Sequence, residues 1–133
     1  MSVFSWPARV YWEDTDGSGI VYYANYLRFL ERARTEWLRA LGHSQAQLAV
    51  QRGIVFSVVS ITVNYRRPAR LDDALAITCE PRAEGRASLR FVQQVRRGEE
   101  LLADADVRVA CLDAATLRPK RLPGFVLAGA ETS

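Results

Sequence analysis

The sequence predicts an α+β domain in which one long helix lies against an antiparallel sheet. Three observations carry this. Residues 23–41 repeat apolar side chains at helical spacing, four β-prone runs follow with no second long helix among them, and a short aromatic run precedes them.

Residues 8–12, ARVYW, are β-prone and read as a first strand. Residues 13–22, EDTDGSGIVY, hold two glycines and three acids, which is loop chemistry. From Tyr23 to Leu41 the period changes: Tyr23, Tyr26, Leu27, Leu30, Trp37, Leu38 and Leu41 recur at spacings of three, four and seven. Arg28, Glu31, Arg32, Glu36 and Arg39 fall largely elsewhere around the wheel, as in an amphipathic helix. Asn25 is a candidate N-cap and Gly42 a natural stop. Residues 54–65, IVFSVVSITVNY, are rich in β-branched and aromatic side chains, and Pro68 and Asp72-Asp73 punctuate the chain after them. Runs at 74–80, 87–96 and 101–112 are separated by the turn-like PRAEGR and RRGEE, which suits antiparallel hairpins. The tail after Thr116 holds two prolines, ends in GAETS and is expected to fray.

The chain has 133 residues, 49% of them hydrophobic and 25% charged, and neither repeat nor linker. That is one domain's worth, 1–133, and excludes a disordered or fibrous chain. One helix on a single-layer sheet leaves much apolar face uncovered, so a homo-oligomer is expected. No apolar run reaches the roughly 18 residues of a membrane span, and no signal peptide is visible at the N-terminus. A cytoplasmic location is expected, with Cys79 and Cys111 as buried free thiols, because no CxxC or neighbouring histidine suggests zinc. His43 is the only histidine, so mechanisms needing several within one chain are excluded. The net charge of +3 comes from 17 arginines and one lysine against 15 acids. Arginine favours an anionic ligand, but no nucleic-acid-binding signature accompanies it.

The loop Asp14–Asn25, DTDGSGIVYYAN, carries the chemistry. Asp14, Asp16, Ser18 and Gly19 match the first half of an EF-hand calcium loop, but position twelve is Asn25 where a bidentate glutamate is required, so no metal is expected. A second reading is catalytic. A carboxylate, Asp16, precedes a helix whose first N–H groups can hold an oxyanion, and Gly17 and Gly19 let backbone approach a ligand. The carboxylate can attack a carbonyl or activate water. On spacing alone a plain structural role, with Asp14 and Asp16 capping the turn, is the commoner outcome.

The run WPARVYWEDTDGSGIVYYANYLRFLERARTEWLRALG resembles the hotdog-fold acyl-CoA thioesterases of the 4-hydroxybenzoyl-CoA thioesterase family, and is closest to the tol-pal system-associated branch. VNYRRPARLDD and LRFVQQVRRGEELLADADVRVACLDAATLRPKRLP extend the resemblance to nearly the whole chain, from Trp6 to Pro123. The resemblance implies a sheet wrapped around the long helix, dimers often paired into tetramers, and active sites at the subunit interface. It implies Asp16 as the catalytic carboxylate, the Tyr23 backbone N–H as oxyanion donor, and no cofactor. The tol-pal branch commonly has histidine where this chain has Tyr23, and its enterobacterial members have tyrosine in place of Trp12, which bears on substrate choice.

Trp12 is a candidate to line the acyl pocket, and Trp6, Trp12 and Trp37 are expected in core or interface. Glu31 with Arg34 or Arg28 reads as a surface pair, and His43 as a residue past the helix end. Arg66, Arg67 and Arg70 flank Pro68 and read either as a solvated edge or as a landing site for the phosphates of coenzyme A. The expected activity is hydrolysis of an acyl-CoA, short-chain aliphatic or aryl, or of a related thioester on acyl carrier protein. A thiolate leaves readily, so no strong general acid is needed. The alternative is a hotdog module that binds acyl thioesters or acyl carrier protein without hydrolysis.

Overall fold

The computed structural model describes residues 3–131. Five strands, β1 (Phe4–Arg9), β2 (Ile54–Tyr65), β3 (Ala74–Ala83), β4 (Ser88–Arg97) and β5 (Glu100–Asp113), form one antiparallel sheet in the order β1-β3-β4-β5-β2. The helices are α1 (Tyr26–Ala40), α2 (Gln45–Arg52) and α3 (Gly124–Glu131). α1 crosses the inner face over β1, β3 and β4. The core lies between them. Phe29, Leu30, Ala33, Trp37 and Leu38 of α1 are buried with the alternate residues Leu75, Ile77 and Cys79 of β3 and Leu89, Phe91 and Val95 of β4. Trp37 meets the Phe91 ring edge-on with centroids 5.5 Å apart. Burial pushes the Cys79 thiol up to about 12, and both cysteines are free and buried.

The first strand begins and ends earlier than ARVYW suggested. Arg9 is its last residue, because the chain turns at Trp12–Asp14, where the Asp14 carboxylate takes the Tyr11 N–H. The long helix starts at Tyr26, since residues 23–25 form a tighter 3₁₀ turn. Tyr23 and Leu27, assigned to its apolar stripe, are exposed, while Phe29 and Ala33 complete the buried face. The helix ends as expected at Gly42, with φ +93°. His43 N–H bonds the Leu38 carbonyl (3.3 Å) and Gly42 N–H the Arg39 carbonyl (2.8 Å), which satisfies the last turn.

Two short helices were not anticipated. Ser44 caps α2 by accepting from Gln47 N–H (3.1 Å). α3 folds eight residues of the tail expected to fray, burying Val126 and Ala130. A Cβ on Gly129 would lie 2.7 Å from Leu41 Cδ1, so glycine permits the close approach to the end of α1. Residues 132–133 lie outside the described residues.

The outer sheet face is finished with polar pairs, among them Arg90–Asp106, Arg108–Glu84 and Arg82–Glu80. An uncovered apolar stretch lies instead along β2. Its inner row includes Val58 and Ile61, both exposed beyond the edge of α1. No helix among the described residues is long and apolar enough to cross a membrane.

Candidate active site

Past β1, Asp14 ties two 3₁₀ turns together. Its buried carboxylate accepts from Tyr11 N–H (2.8 Å) and from the Asn25 side-chain amide (2.9 Å), and its carbonyl accepts Tyr22 N–H (3.0 Å). Asn25, expected to cap the helix, therefore spends its side chain on the loop.

Between the turns the chain makes a narrow loop. Thr15 and Val21 pair across it, and Asp16 N–H bonds the Ile20 carbonyl (3.0 Å). Gly17 and Gly19 adopt φ of +91° and +92°, which strain any residue with a Cβ. No atom lies within 4 Å of where a Cβ would sit, so conformation rather than space calls for glycine. Asp16 stands exposed at the tip. Its carboxylate accepts from the Ser18 hydroxyl and from Ser18 N–H (2.8 Å). These bonds, the hydroxyl's first, hold its pKa below the ordinary aspartate value, so it is ionised at neutral pH.

Asp16 shares an open cleft of about 460 Å³ with Glu13, Asp14, Ala24, Asn25 and Arg28. Two N–H groups start the turn beside it, those of Tyr23 and Ala24, and neither finds a backbone acceptor among the described residues. The carbonyls of the same two peptides are held. Tyr22 C=O accepts from Asn25 N–H (2.8 Å), and Tyr23 C=O from the Tyr65 hydroxyl (2.8 Å). In a trans peptide C=O and N–H point opposite ways, so both N–H groups are aimed away from these donors. The Tyr23 side chain turns into a different cleft, with Tyr26, Tyr65, Arg66 and Arg67, so only its backbone can serve the Asp16 loop.

The arginine segment lies against this loop. Val21 N–H bonds Ala69 C=O (2.9 Å), Leu71 N–H bonds Gly19 C=O (2.9 Å), and Ile20 pairs with Arg70. Arg66 pairs with Asp104 (2.5 Å) and Arg67 with Glu100 (3.3 Å). The Arg70 guanidinium has no carboxylate partner among the described residues.

Trp12 projects from the surface, 62% exposed, and Trp6 is also exposed, whereas Trp37 is core. Glu31 makes no ion pair among the described residues, and Arg34 bonds Gln93 instead. His43 stacks on Phe125 with ring centroids 3.7 Å apart, at the end of α1 opposite to Asp16. No group of three potential metal-binding side chains occurs among the described residues. Sequence reasoning overlooked Tyr65 and Arg28. Tyr65 is one β-prone residue among many, and nothing in its neighbourhood signals a bond 42 residues away.

The family model of the thioesterase-like superfamily matches residues 10–129. The chain belongs to that superfamily. This thioesterase is 45% identical to an acyl-CoA thioester hydrolase, YbgC, of Escherichia coli O6:H1, over 96% of the chain and 95% of the relative. It is 42% identical to the acyl-CoA thioesterase YbgC of Haemophilus influenzae, over 94% and 92%. Among solved structures, a probable thioesterase from Bartonella henselae superposes with a TM-score of 0.87 at 37% identity, covering 92% of this chain and all of the other. Slr0204, a 1,4-dihydroxy-2-naphthoyl-CoA thioesterase from Synechocystis, superposes at 0.89 with 21% identity, over 97% and 96%, a likeness of fold. The hotdog fold and the thioester hydrolase class, both implied by the sequence motifs, are those of these relatives.

Proposed function

We propose that this thioesterase hydrolyses acyl-CoA, with a short aliphatic or aryl acyl group, using Asp16 as its catalytic carboxylate and the Tyr23 N–H as oxyanion donor. The observation that carries the reading is the arrangement of the Asp14–Asn25 segment. An exposed, ionised Asp16 stands in one open cleft with the start of a turn whose free N–H groups are aimed by bonds to their own carbonyls. The names of the YbgC relatives support acyl-CoA as the substrate.

In the nucleophilic route an Asp16 oxygen attacks the thioester carbon, and the carbonyl oxygen takes up negative charge beside the Tyr23 N–H. Collapse breaks the C–S bond and releases CoA as thiolate. Water then cleaves the acyl–Asp16 anhydride to free acid and carboxylate. In the general-base route Asp16 takes a proton from the water that attacks directly. Both need an ionised Asp16 and neither needs histidine. Gly17 and Gly19 keep the loop tip open to the ligand. Arg70, next to the loop and without a carboxylate partner among the described residues, is the best placed of the three arginines for the CoA phosphates, with Arg66 and Arg67 flanking it. A panel of acyl-CoAs and 4-hydroxybenzoyl-CoA, followed by thiol release, tests the reading. Turnover of at least one class is expected, and none across the panel would defeat it.

We also infer that the working form is a homodimer or a tetramer of dimers. β2 is an edge strand of 12 residues with exposed Val58, Val59 and Ile61, so a second copy would cover an apolar edge otherwise left to water. Sedimentation at micromolar concentration is expected to show no monomer; a fully active monomer contradicts this.

A further inference from the structure

Within the site just described, the turn before α1 holds two unused donors, and a different device fixes each. Between Tyr22 and Asn25 the outer N–H groups are engaged, that of Tyr22 with the Asp14 carbonyl (3.0 Å) and that of Asn25 with the Tyr22 carbonyl (2.8 Å). The N–H groups of Tyr23 and Ala24 meet neither a backbone nor a side-chain acceptor among the described residues. The peptide that carries the Tyr23 N–H is fixed from within the turn, because its carbonyl is the one Asn25 holds. The peptide that carries the Ala24 N–H is fixed from outside. Its carbonyl, that of Tyr23, accepts the Tyr65 hydroxyl (2.8 Å), which reaches it from β2.

The two residues also face different clefts. Tyr23 and Tyr65 line one together, with Tyr26, Arg66 and Arg67, whereas Ala24 lines the other with Asp16. Tyr65 holds the Tyr23 carbonyl on its own side, and across a trans peptide the Ala24 N–H points the opposite way. The side chain of Ala24 is a single methyl, too small to cover that N–H. Edge-on contacts with Tyr26 and Tyr23, at centroid distances of 5.2 and 6.3 Å, hold the Tyr65 ring in place. Burial, then Tyr26 and Tyr23, push its pKa above the ordinary tyrosine value, so at neutral pH it keeps the proton it donates. Donation into a peptide carbonyl polarises the peptide and strengthens its N–H as a donor.

Resting on the hydrolase reading above, we propose that the Ala24 N–H is a second oxyanion donor beside that of Tyr23, and that Tyr65 is the positioning residue that aims and polarises it. Consecutive N–H groups at the start of a helical turn point the same way and can share one anionic acceptor. The oxyanion is then met by two peptides, one set by the turn and one by the sheet. A donor that gains strength only as charge develops is expressed in kcat rather than KM.

Replacing Ala24 by lactic acid puts an ester oxygen where the N–H stands and keeps the side chain. That protein is expected to lose at least about 10-fold in kcat with KM nearly constant. Tyr65→Phe, which lowers kcat in the natural backbone, is expected to cost nothing further in the ester protein. A kcat within about twofold of wild type overturns the second donor, and an undiminished Tyr65→Phe loss in the ester protein overturns the positioning role. Should the ester protein fail to fold, magnetic resonance of the natural backbone decides. Tyr23–Ala24 is the only Tyr–Ala pair in the chain, so isotopic labels on tyrosine carbonyl carbons and alanine nitrogens mark that single peptide. The probe is a ketone analogue of the best acyl-CoA substrate, with a methylene in place of the thioester sulfur. At saturation the Ala24 amide proton is expected to move downfield in the wild type and to move less in Tyr65→Phe. A proton that stays in place in the wild type, or moves equally in both proteins, overturns the proposal. Any of these contrary results beside an active wild type defeats this inference alone, whereas no turnover of any acyl-CoA defeats the hydrolase reading with it.

Discussion

The Tyr65 hydroxyl donates a 2.8 Å hydrogen bond to the carbonyl of Tyr23, joining the edge strand β2 to the turn at the start of α1. The Tyr65 ring also meets Tyr26 edge-on, with centroids 5.2 Å apart. The bond fixes the peptide between Tyr23 and Ala24, and with it the aim of the turn. Tyr65→Phe keeps the ring and loses the bond. A net loss of about 0.5–1.5 kcal/mol, if felt in the transition state, lowers kcat by roughly 2- to 10-fold with KM nearly constant. Steady-state kinetics check this; an unchanged kcat would show that the bond only packs the strand.

The acid limb of the pH profile should follow Ser18. Its hydroxyl and N–H lower the Asp16 pKa, so the ionised form persists to more acidic pH than for a free aspartate. Ser18→Ala removes the hydroxyl's share, the larger one, and raises that pKa. The acid limb of kcat/KM should therefore move to higher pH, with the neutral plateau little altered. A limb that stays in place, measured between pH 3 and 7, contradicts Asp16 as the group that titrates.

Asp14 has a different task. Both of its carboxylate oxygens accept from donors in a buried setting. In Asp14→Asn one position presents N–H to another donor, which costs about 1–3 kcal/mol. Urea denaturation should show that loss, while the folded variant keeps more kcat than one altered at Asp16.

These roles separate what the sequence reveals from what it hides. The spacing of Tyr26, Leu30, Trp37 and Leu38 exposes the helix because one face must be buried, and β-branched runs with turn signals expose the hairpins. Asp16 stands out through local chemistry, an acid among glycines. α2 and α3 were missed because each is eight residues long, stabilised by a cap or by tertiary packing that leaves little periodic signal. Tyr65–Tyr23 and Arg34–Gln93 span 42 and 59 residues, and only the packing of α1 and its leading turn against the sheet brings them together.

The arginine segment offers a graded test. Among the described residues Arg70 lacks a carboxylate partner, whereas Arg66 and Arg67 are held by Asp104 and Glu100. Arg70→Ala should raise KM for acyl-CoA more than either Arg66→Ala or Arg67→Ala and leave kcat nearly intact, because phosphate contacts serve ground and transition states alike. The wild-type KM should rise with salt, as exposed charges are screened. A KM indifferent to salt and to all three changes would assign the cluster to solvation alone.

The most direct measurement is the turnover of Asp16→Asn on the best substrate of the acyl-CoA panel. Asparagine keeps the size and turn-forming habit of aspartate, so the loop and assembly should persist, to be checked by sedimentation and circular dichroism. It can act neither as carboxylate nucleophile nor as base, a contribution worth on the order of 10²–10⁴ in rate. The predicted result is a kcat at least roughly 10²-fold below wild type with a modest change in KM. A folded, assembled Asp16→Asn protein that keeps more than about a tenth of the wild-type kcat would contradict the assignment of the chemistry to this residue.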